Sequence, residues 1–131
     1  MQDVCLTNNP MVISSGNLCV KKIEGDALEV MKEVKRAVIM GYRLISHPLT
    51  GSIRPDVSPY KSIIISGNPK ILDIESLQLI ENAIEYTQNL YKTVKERKWD
   101  KDSLADFQFI DFCLINNLLG SDISKECRLW S

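Results

Sequence analysis

The polar side chains that could do chemistry fall in three turns of the chain. They are Asn8, Asn9, His47, Thr50, Ser52, Arg54, Lys61 and Ser66. Hydroxyls and a glycine beside cations suit a carboxylate or phosphate, because glycine permits close backbone approach and a guanidinium meets two oxygens at once. These residue types therefore predict a small anionic ligand. One histidine and no CxxC pair predict neither a metal site nor a bound cofactor.

Most of these side chains lie in one long connection, residues 46–61, which has no regular hydrophobic period. Structureless loops longer than about 12 to 15 residues are uncommon in compact domains and are often functional. His47 is the only histidine and the one candidate acid or base, but no carboxylate or cysteine adjoins it. A hydrogen bond that holds the loop to the body is its simpler role. The Thr50-Gly51-Ser52 run is likewise more often a turn than a phosphate cradle, because it lacks P-loop spacing.

Hydrophobic patterning predicts the elements that must position these residues. Strands are expected at 4–6, 18–23, 42–45 and 62–66, and helices at 26–40, 73–96 and 104–119. Asp26 is expected to cap the first helix, Gly41 to end it, Asp73 to cap the second and Ser103 to cap the third. The strand, helix, strand order predicts an α/β fold: a small, mostly parallel four-stranded sheet with about three helices packed on it.

Open α/β sheets bind ligands beyond the carboxyl ends of their strands. If the first, third and fourth predicted strands are parallel, loops 7–10, 46–61 and 66–69 meet at one edge of the sheet. We therefore expect the ligand site at that edge, with His47 on the same end as the two asparagines.

Length and charge limit the classes of protein to which this chain could belong. The 131 residues fit one domain, 1–131, in which residues 121–131 look loosely held. Sixteen basic and seventeen acidic side chains leave a formal charge of −1, so a nucleic-acid partner is not expected. No signal-like segment opens the chain and no apolar run reaches the roughly 18 residues of a membrane span. We expect a cytoplasmic protein without a membrane partner.

Two apolar features leave structural alternatives open. Cys5, Cys19 and Cys113 sit among apolar residues, where buried thiols are the simplest expectation. The predicted helix 104–119 is apolar over most of its circumference. Either it is buried in the fold or it pairs two copies of the chain as a homodimer.

Several motifs carry a family resemblance. The run 47–55, HPLTGSIRP, followed by SPYKS at 58–62, TNNP at 7–10 and the acidic helix start at 73–77, resembles the GrdX family. These small proteins are named for their association with the glycine reductase system of amino-acid-fermenting anaerobes. The resemblance runs from Val4 to about Leu90. It implies an accessory role near glycine, sarcosine, betaine or proline reductases, and it supplies no reaction and no catalytic residues.

Two function classes follow. The first is a non-enzymatic accessory or ligand-sensing protein of an amino-acid reductase system, with a reductase-system protein as partner. The alternative is a small enzyme acting on a carboxylated or phosphorylated metabolite, with His47 as acid or base. We expect the first, because the sequence shows no recognisable nucleophile, metal cluster or cofactor fingerprint.

Overall fold

The computed structural model describes residues 3–13, 18–49, 58–93 and 99–119. Three strands and three helices follow in the order β1 (Asp3–Thr7), β2 (Leu18–Lys22), α1 (Ala27–Ile39), β3 (Ser62–Ile65), α2 (Ile74–Thr93) and α3 (Lys101–Leu119). Within these ranges no helix has the length and apolarity that crossing a bilayer requires.

The sheet has three strands in the order β2-β1-β3 and is mixed. Strand β1 pairs parallel to β2 and antiparallel to β3. The predicted α/β class and the three helices are confirmed, and the predicted four-stranded, mostly parallel sheet is wrong.

Serine side chains explain why the predicted strand at 42–45 does not form. The segment runs antiparallel along β3 but makes one isolated bridge, between Leu44 and Ile65. The Arg43 amide donates to the Ser66 hydroxyl at 2.9 Å, and the Ile64 amide donates to the Ser46 hydroxyl at 2.9 Å. Because hydroxyls take the place of backbone partners, the ladder of a fourth strand is interrupted.

The sheet is covered on both faces, as its alternating side chains require. All four residues of β3 are buried, which confirms the predicted cover on both faces, but the central strand of the sheet is β1 and not β3. One face packs on α1 and α2 around Leu6, Val30, Met31, Val34, Val38, Ile63, Ile65, Ile80 and Ala83. The other face packs on α3 around Cys5, Val12, Leu18, Ile64 and Ile115. The fold is therefore a three-layer arrangement of two helices, a sheet and one helix.

The helix boundaries follow local capping chemistry. Asp26 accepts the amide of Glu29 at 3.1 Å, and Asp73 accepts the amide of Ser76 at 3.3 Å, so both predicted caps are confirmed. The predicted cap at Ser103 is wrong. Helix α3 begins three residues earlier than predicted, because the Asp100 carboxylate accepts the Ser103 amide at 2.7 Å.

Gly41 ends α1 as predicted, with a φ of 108° that favours glycine. A Cβ atom there would lie 2.1 Å from the carbonyl oxygen of Lys70. The Lys70 amide donates to the Gly41 carbonyl at 3.0 Å. This close contact joins the end of α1 to the loop that follows β3.

Candidate functional site

Two asparagines follow β1 at the edge where β3 begins. The Asn8 side chain donates to the carbonyls of Pro59 at 2.7 Å and Gly25 at 2.9 Å. Its Oδ1 accepts the amide of Lys61 at 2.8 Å. Asn8 thereby holds three separate segments together, and both of its amide protons serve the fold.

Asn9 is fully buried and links the β1 exit turn to α3. Its Nδ2 donates to the Gln108 carbonyl at 2.8 Å and to Oδ2 of Asp111 at 3.0 Å. Its Oδ1 accepts the Met11 amide at 3.0 Å. A side chain with these contacts positions other groups, since neither of its donors is left for a ligand.

A directed chain of hydrogen bonds runs from β1 to α3. The Asn9 amide donates to Thr7 Oγ1 at 2.9 Å, and the Thr7 and Ser62 hydroxyls lie 2.7 Å apart. Ser62 donates to Oδ2 of Asp111 at 2.5 Å. Because Ser62 has one proton and gives it to the carboxylate, Thr7 must donate to Ser62. Hydrogen bonds aligned in this way polarise and strengthen one another.

Three titratable groups at this edge are perturbed by burial. Burial raises the pKa of Asp111, although hydrogen bonds from Ser62 and Asn9 and the charge of Lys61 oppose the shift. Burial lowers the pKa of Lys61 to about 8, against the attraction of the Asp111 carboxylate. Burial, reinforced by Asp111, raises the pKa of Cys5 to about 12. Cys5 is therefore a thiol at neutral pH and not an activated nucleophile.

Two further contacts fix the loops around the network. The Lys22 ammonium donates to the carbonyls of Asn9, at 2.6 Å, and Val12. The Gln108 side chain donates to the Tyr60 hydroxyl at 2.7 Å. Helix α3 therefore holds both the β1 exit turn and the end of the 46–61 connection.

The structure brings together only some of the predicted site residues. Asn8, Asn9 and Lys61 share one edge of the sheet. His47 belongs to that edge too, because the segment before it runs antiparallel to β3, as β1 does. Its Nδ1 accepts the Leu49 amide at 3.0 Å, so the neutral ring carries its proton on Nε2. This bond stays within the connection itself, two residues along, so it does not show the expected hydrogen bond between the loop and the body of the fold.

Ser66 lies at the opposite end of β3, so the expected meeting of loops 7–10 and 66–69 is wrong. The reason is the antiparallel pairing of β1 with β3, which sends the carboxyl ends of these strands to opposite edges. Thr50, Ser52 and Arg54 fall outside the described residues. Ligand binding by any of the candidate residues stays a prediction.

Sequence reasoning missed Asp111, Ser62 and Cys5 as members of the network. One signal pointed to Asp111, since it is the only charged residue between 107 and 119 in a helix that is otherwise largely apolar. A lone carboxylate in such a helix is expected to meet partners inside the fold. Cys5 is a buried thiol as predicted, whereas Cys113 is buried but disulfide-bonded and Cys19 is exposed, which corrects the expectation for these two cysteines.

The fold and this edge define a small three-layer α/β protein with a buried polar network at one end of its sheet. The family model for GrdX-like protein matches residues 4–120, and the chain belongs to that family. Searches of curated proteins and of solved structures found no match to the chain. The described residues contain no cluster of three or more histidine, cysteine, aspartate or glutamate side chains able to hold a metal ion.

Proposed function

We propose that this protein is a non-enzymatic accessory component of a glycine-type amino-acid reductase system and that it acts in the cytoplasm. Membership of the GrdX-like family supports the association. In this proposal the 46–61 connection recognises an anionic group, either a small ligand or a charged group of a reductase protein.

The observation that carries the proposal is the anchoring of this connection at both ends. At its start, Pro48 is fully buried and Ser46 holds the Ile64 amide. At its end, Asn8 holds the Pro59 carbonyl and the Lys61 amide. Long loops fixed at both ends on a rigid sheet are typical recognition elements.

Lys61 supplies the charge for recognising an anion. It is buried, and with a pKa of about 8 its side chain is mostly cationic at neutral pH. A charge in such surroundings attracts an anion more strongly than a fully hydrated one does. Since the amide protons of Asn8 are committed to backbone carbonyls, Asn8 shapes the site, and Lys61 and Arg54 are the groups proposed to contact the anion.

A thermal-shift screen tests the recognition step. Amino acids, betaine, nucleotides and phosphate are added to the wild type and to Arg54→Ala, because a ligand that binds only the folded state raises its stability with occupancy. We expect a shift in the wild type that the variant loses. Lys92→Ala, which removes an exposed cation from the last turn of α2, is the matched control. No shift with any compound would remove the small-ligand version of the proposal.

A reconstituted reductase tests the accessory role. The purified protein is added to glycine, sarcosine or betaine reductase, and the rate and lifetime of reductase activity are followed. We expect a change in one of them and no turnover by the accessory protein alone. An unchanged reductase at saturating protein would contradict the proposal.

The second candidate, a small enzyme acting on a carboxylated or phosphorylated metabolite, is favoured by the perturbed groups at the site. Strongly shifted pKa values concentrate at catalytic sites, and Asp111 and Lys61 are both shifted. His47 would serve as acid or base through Nε2. A pH-dependent turnover that His47→Ala abolishes would replace the accessory proposal with this one.

The pairing of two copies through α3 is a separate structural proposal. Cys113 and Ile115 of this helix are buried, while Phe109, Ile110 and Phe112 are only partly covered. Sedimentation over a range of concentrations tests it. A monomer at every concentration would exclude the homodimer.

A further inference from the structure

A second polar cleft lies at the opposite edge of the sheet from the network. Its volume is about 150 Å³, room for roughly five water molecules. Asp3, Arg43, Ser66, Asn68 and Lys70 line it, together with two glycines. Two basic residues and one acidic residue thus border a space the size of a very small organic molecule.

Strand register places three of these side chains in a row on one face of the sheet. Val4 and Leu44 both pair with Ile65, so the residues before them, Asp3 and Arg43, flank Ser66 from its two sides. Val4, Leu44 and Ile65 pack toward α1 and α2. Because side chains alternate along a strand, Asp3, Ser66 and Arg43 point to the other face.

The strand spacing keeps Asp3 and Arg43 from being immediate neighbours. Adjacent strands lie about 4.8 Å apart, so the Cα atoms of Asp3 and Arg43 are about 10 Å apart with Ser66 between them. The ion pairs formed within 4 Å among the described residues are Lys32 with Glu29 and Arg36 with Glu33, and neither involves the cleft. The opposite charges of the cleft therefore do not neutralise one another directly.

The walls of the cleft are fixed by backbone contacts. The Ser66 amide donates to the Arg43 carbonyl at 2.8 Å, and the Ser66 hydroxyl accepts the Arg43 amide at 2.9 Å. The Lys70 amide donates to the Gly41 carbonyl at 3.0 Å, across a contact that leaves no space for a Cβ atom. A site with a fixed backbone loses little conformational entropy when it binds.

We propose that this cleft binds a small zwitterionic amino acid. The ligand carboxylate pairs with Arg43 and Lys70, and its ammonium group pairs with Asp3. A simple anion would meet the same two cations but also the Asp3 carboxylate, which repels it. A cleft of this volume accommodates an amino acid with a short side chain. This site does not depend on the proposed function, because it lies at the other end of β3.

Amide-resolved NMR titration of the full chain tests the site. Glycine and alanine are the zwitterionic probes, with acetate and ethylamine as probes that each carry one of the two charges. We expect the amino acids to shift the signals of residues 43 and 66–70 in the millimolar range, and each single-charge probe to bind at least about tenfold more weakly.

Variants assign the contacts. Arg43→Ala and Lys70→Ala should each weaken glycine binding about tenfold. Lys92→Ala should leave it unchanged, because Lys92 lies about 27 Å along α2 from the first residue of that helix. Asp3→Asn should remove the preference for glycine over acetate, which a general loss of stability would not do. Arg43→Met, which keeps most of the side-chain bulk, separates loss of charge from loss of packing.

Three results would overturn the inference. Equal binding of glycine and acetate by the wild type would show an unselective anion site. No change in the cleft signals with any probe would show no site. Shifts confined to Asn8 and Lys61 would support the proposed function instead, so failure of the two proposals can be told apart.

Discussion

Replacing Asn9 with alanine removes the side chain that joins the β1 exit turn to α3. Three hydrogen bonds are lost: two from Nδ2, to Gln108 and Asp111, and one from the Met11 amide to Oδ1. Asn9 is fully buried, so water does not readily replace these partners. The Asp111 carboxylate keeps its bond from Ser62 but loses one donor.

The expected cost follows from the groups left without partners. A buried polar group deprived of its partner costs about 1 to 3 kcal/mol, and the Met11 amide and the Asp111 carboxylate are the two groups affected most. The Gln108 carbonyl belongs to α3 and also accepts within the helix. The free energy of unfolding should therefore fall by about 2 to 5 kcal/mol, a large part of the roughly 5 to 15 kcal/mol typical of a domain.

Equilibrium unfolding in urea measures this change. With a denaturant slope of about 2 kcal/mol per molar, the midpoint should fall by about 1 to 2.5 M. Fluorescence in a Trp130→Phe background follows α3 directly, because the remaining Trp99 packs edge-on against Phe107 with ring centroids 5.1 Å apart.

Asn82→Ala is the matched control, since Asn82 is exposed on α2. It should change the unfolding free energy by no more than about 0.5 kcal/mol. If Asn9→Ala also stayed within that range, the conclusion that the polar network fixes α3 to the sheet would be refuted.

Three other measurements follow from the structure. Gly41→Ala should destabilise the fold by about 3 kcal/mol or more, and Gly25→Ala by about 1 to 2 kcal/mol. Both glycines have a positive φ, but only a Cβ atom at Gly41 would strike a backbone oxygen. Equal losses of unfolding free energy in urea would contradict this. The lowered pKa of Lys61 means that the folded state binds fewer protons than the unfolded state between about pH 8 and 10.5, so its contribution to stability should rise with pH there. Lys61→Met should remove that rise in urea midpoints, and an unchanged slope would speak against a buried ammonium. Iodoacetamide should modify Cys19 well before Cys5, because Cys19 is exposed whereas burial raises the pKa of Cys5 to about 12. Mass spectrometry of the two peptides measures the rates. Equal rates in the folded state would be inconsistent with the burial of Cys5.

The sequence alone predicted the features that depend on near neighbours in the chain. Asp26 and Asp73 cap their helices because each accepts an amide three residues away. Gly41 ends α1 because it takes up a positive φ. The β-branched run at 63–65 forms a strand buried on both faces. The family motifs are also local, and residues 4–120 match the GrdX-like family model.

Tertiary structure decided the direction of β3 and the fate of the segment at 42–45. Strand direction depends on how the chain returns after a long connection, which leaves no trace in hydrophobic period. Because β3 runs antiparallel to β1, Ser66 lies away from the asparagines and Lys61 lies beside them. The segment failed to pair fully because the hydroxyl of Ser66, 23 residues beyond Arg43, accepts the Arg43 amide in place of a backbone carbonyl.

The hydrogen-bond network at the candidate site was also decided by the tertiary structure. Asn9 and Asp111 are 102 positions apart, and they meet only because α3 packs on the face of the sheet that carries Cys5 and Ile64. Residue types and local spacing are written in the sequence, so the helices, the buried strand β3 and the polar turns could be predicted from it. Which polar side chains form hydrogen bonds with one another inside the fold depends on how distant layers pack. Only the tertiary structure shows this packing.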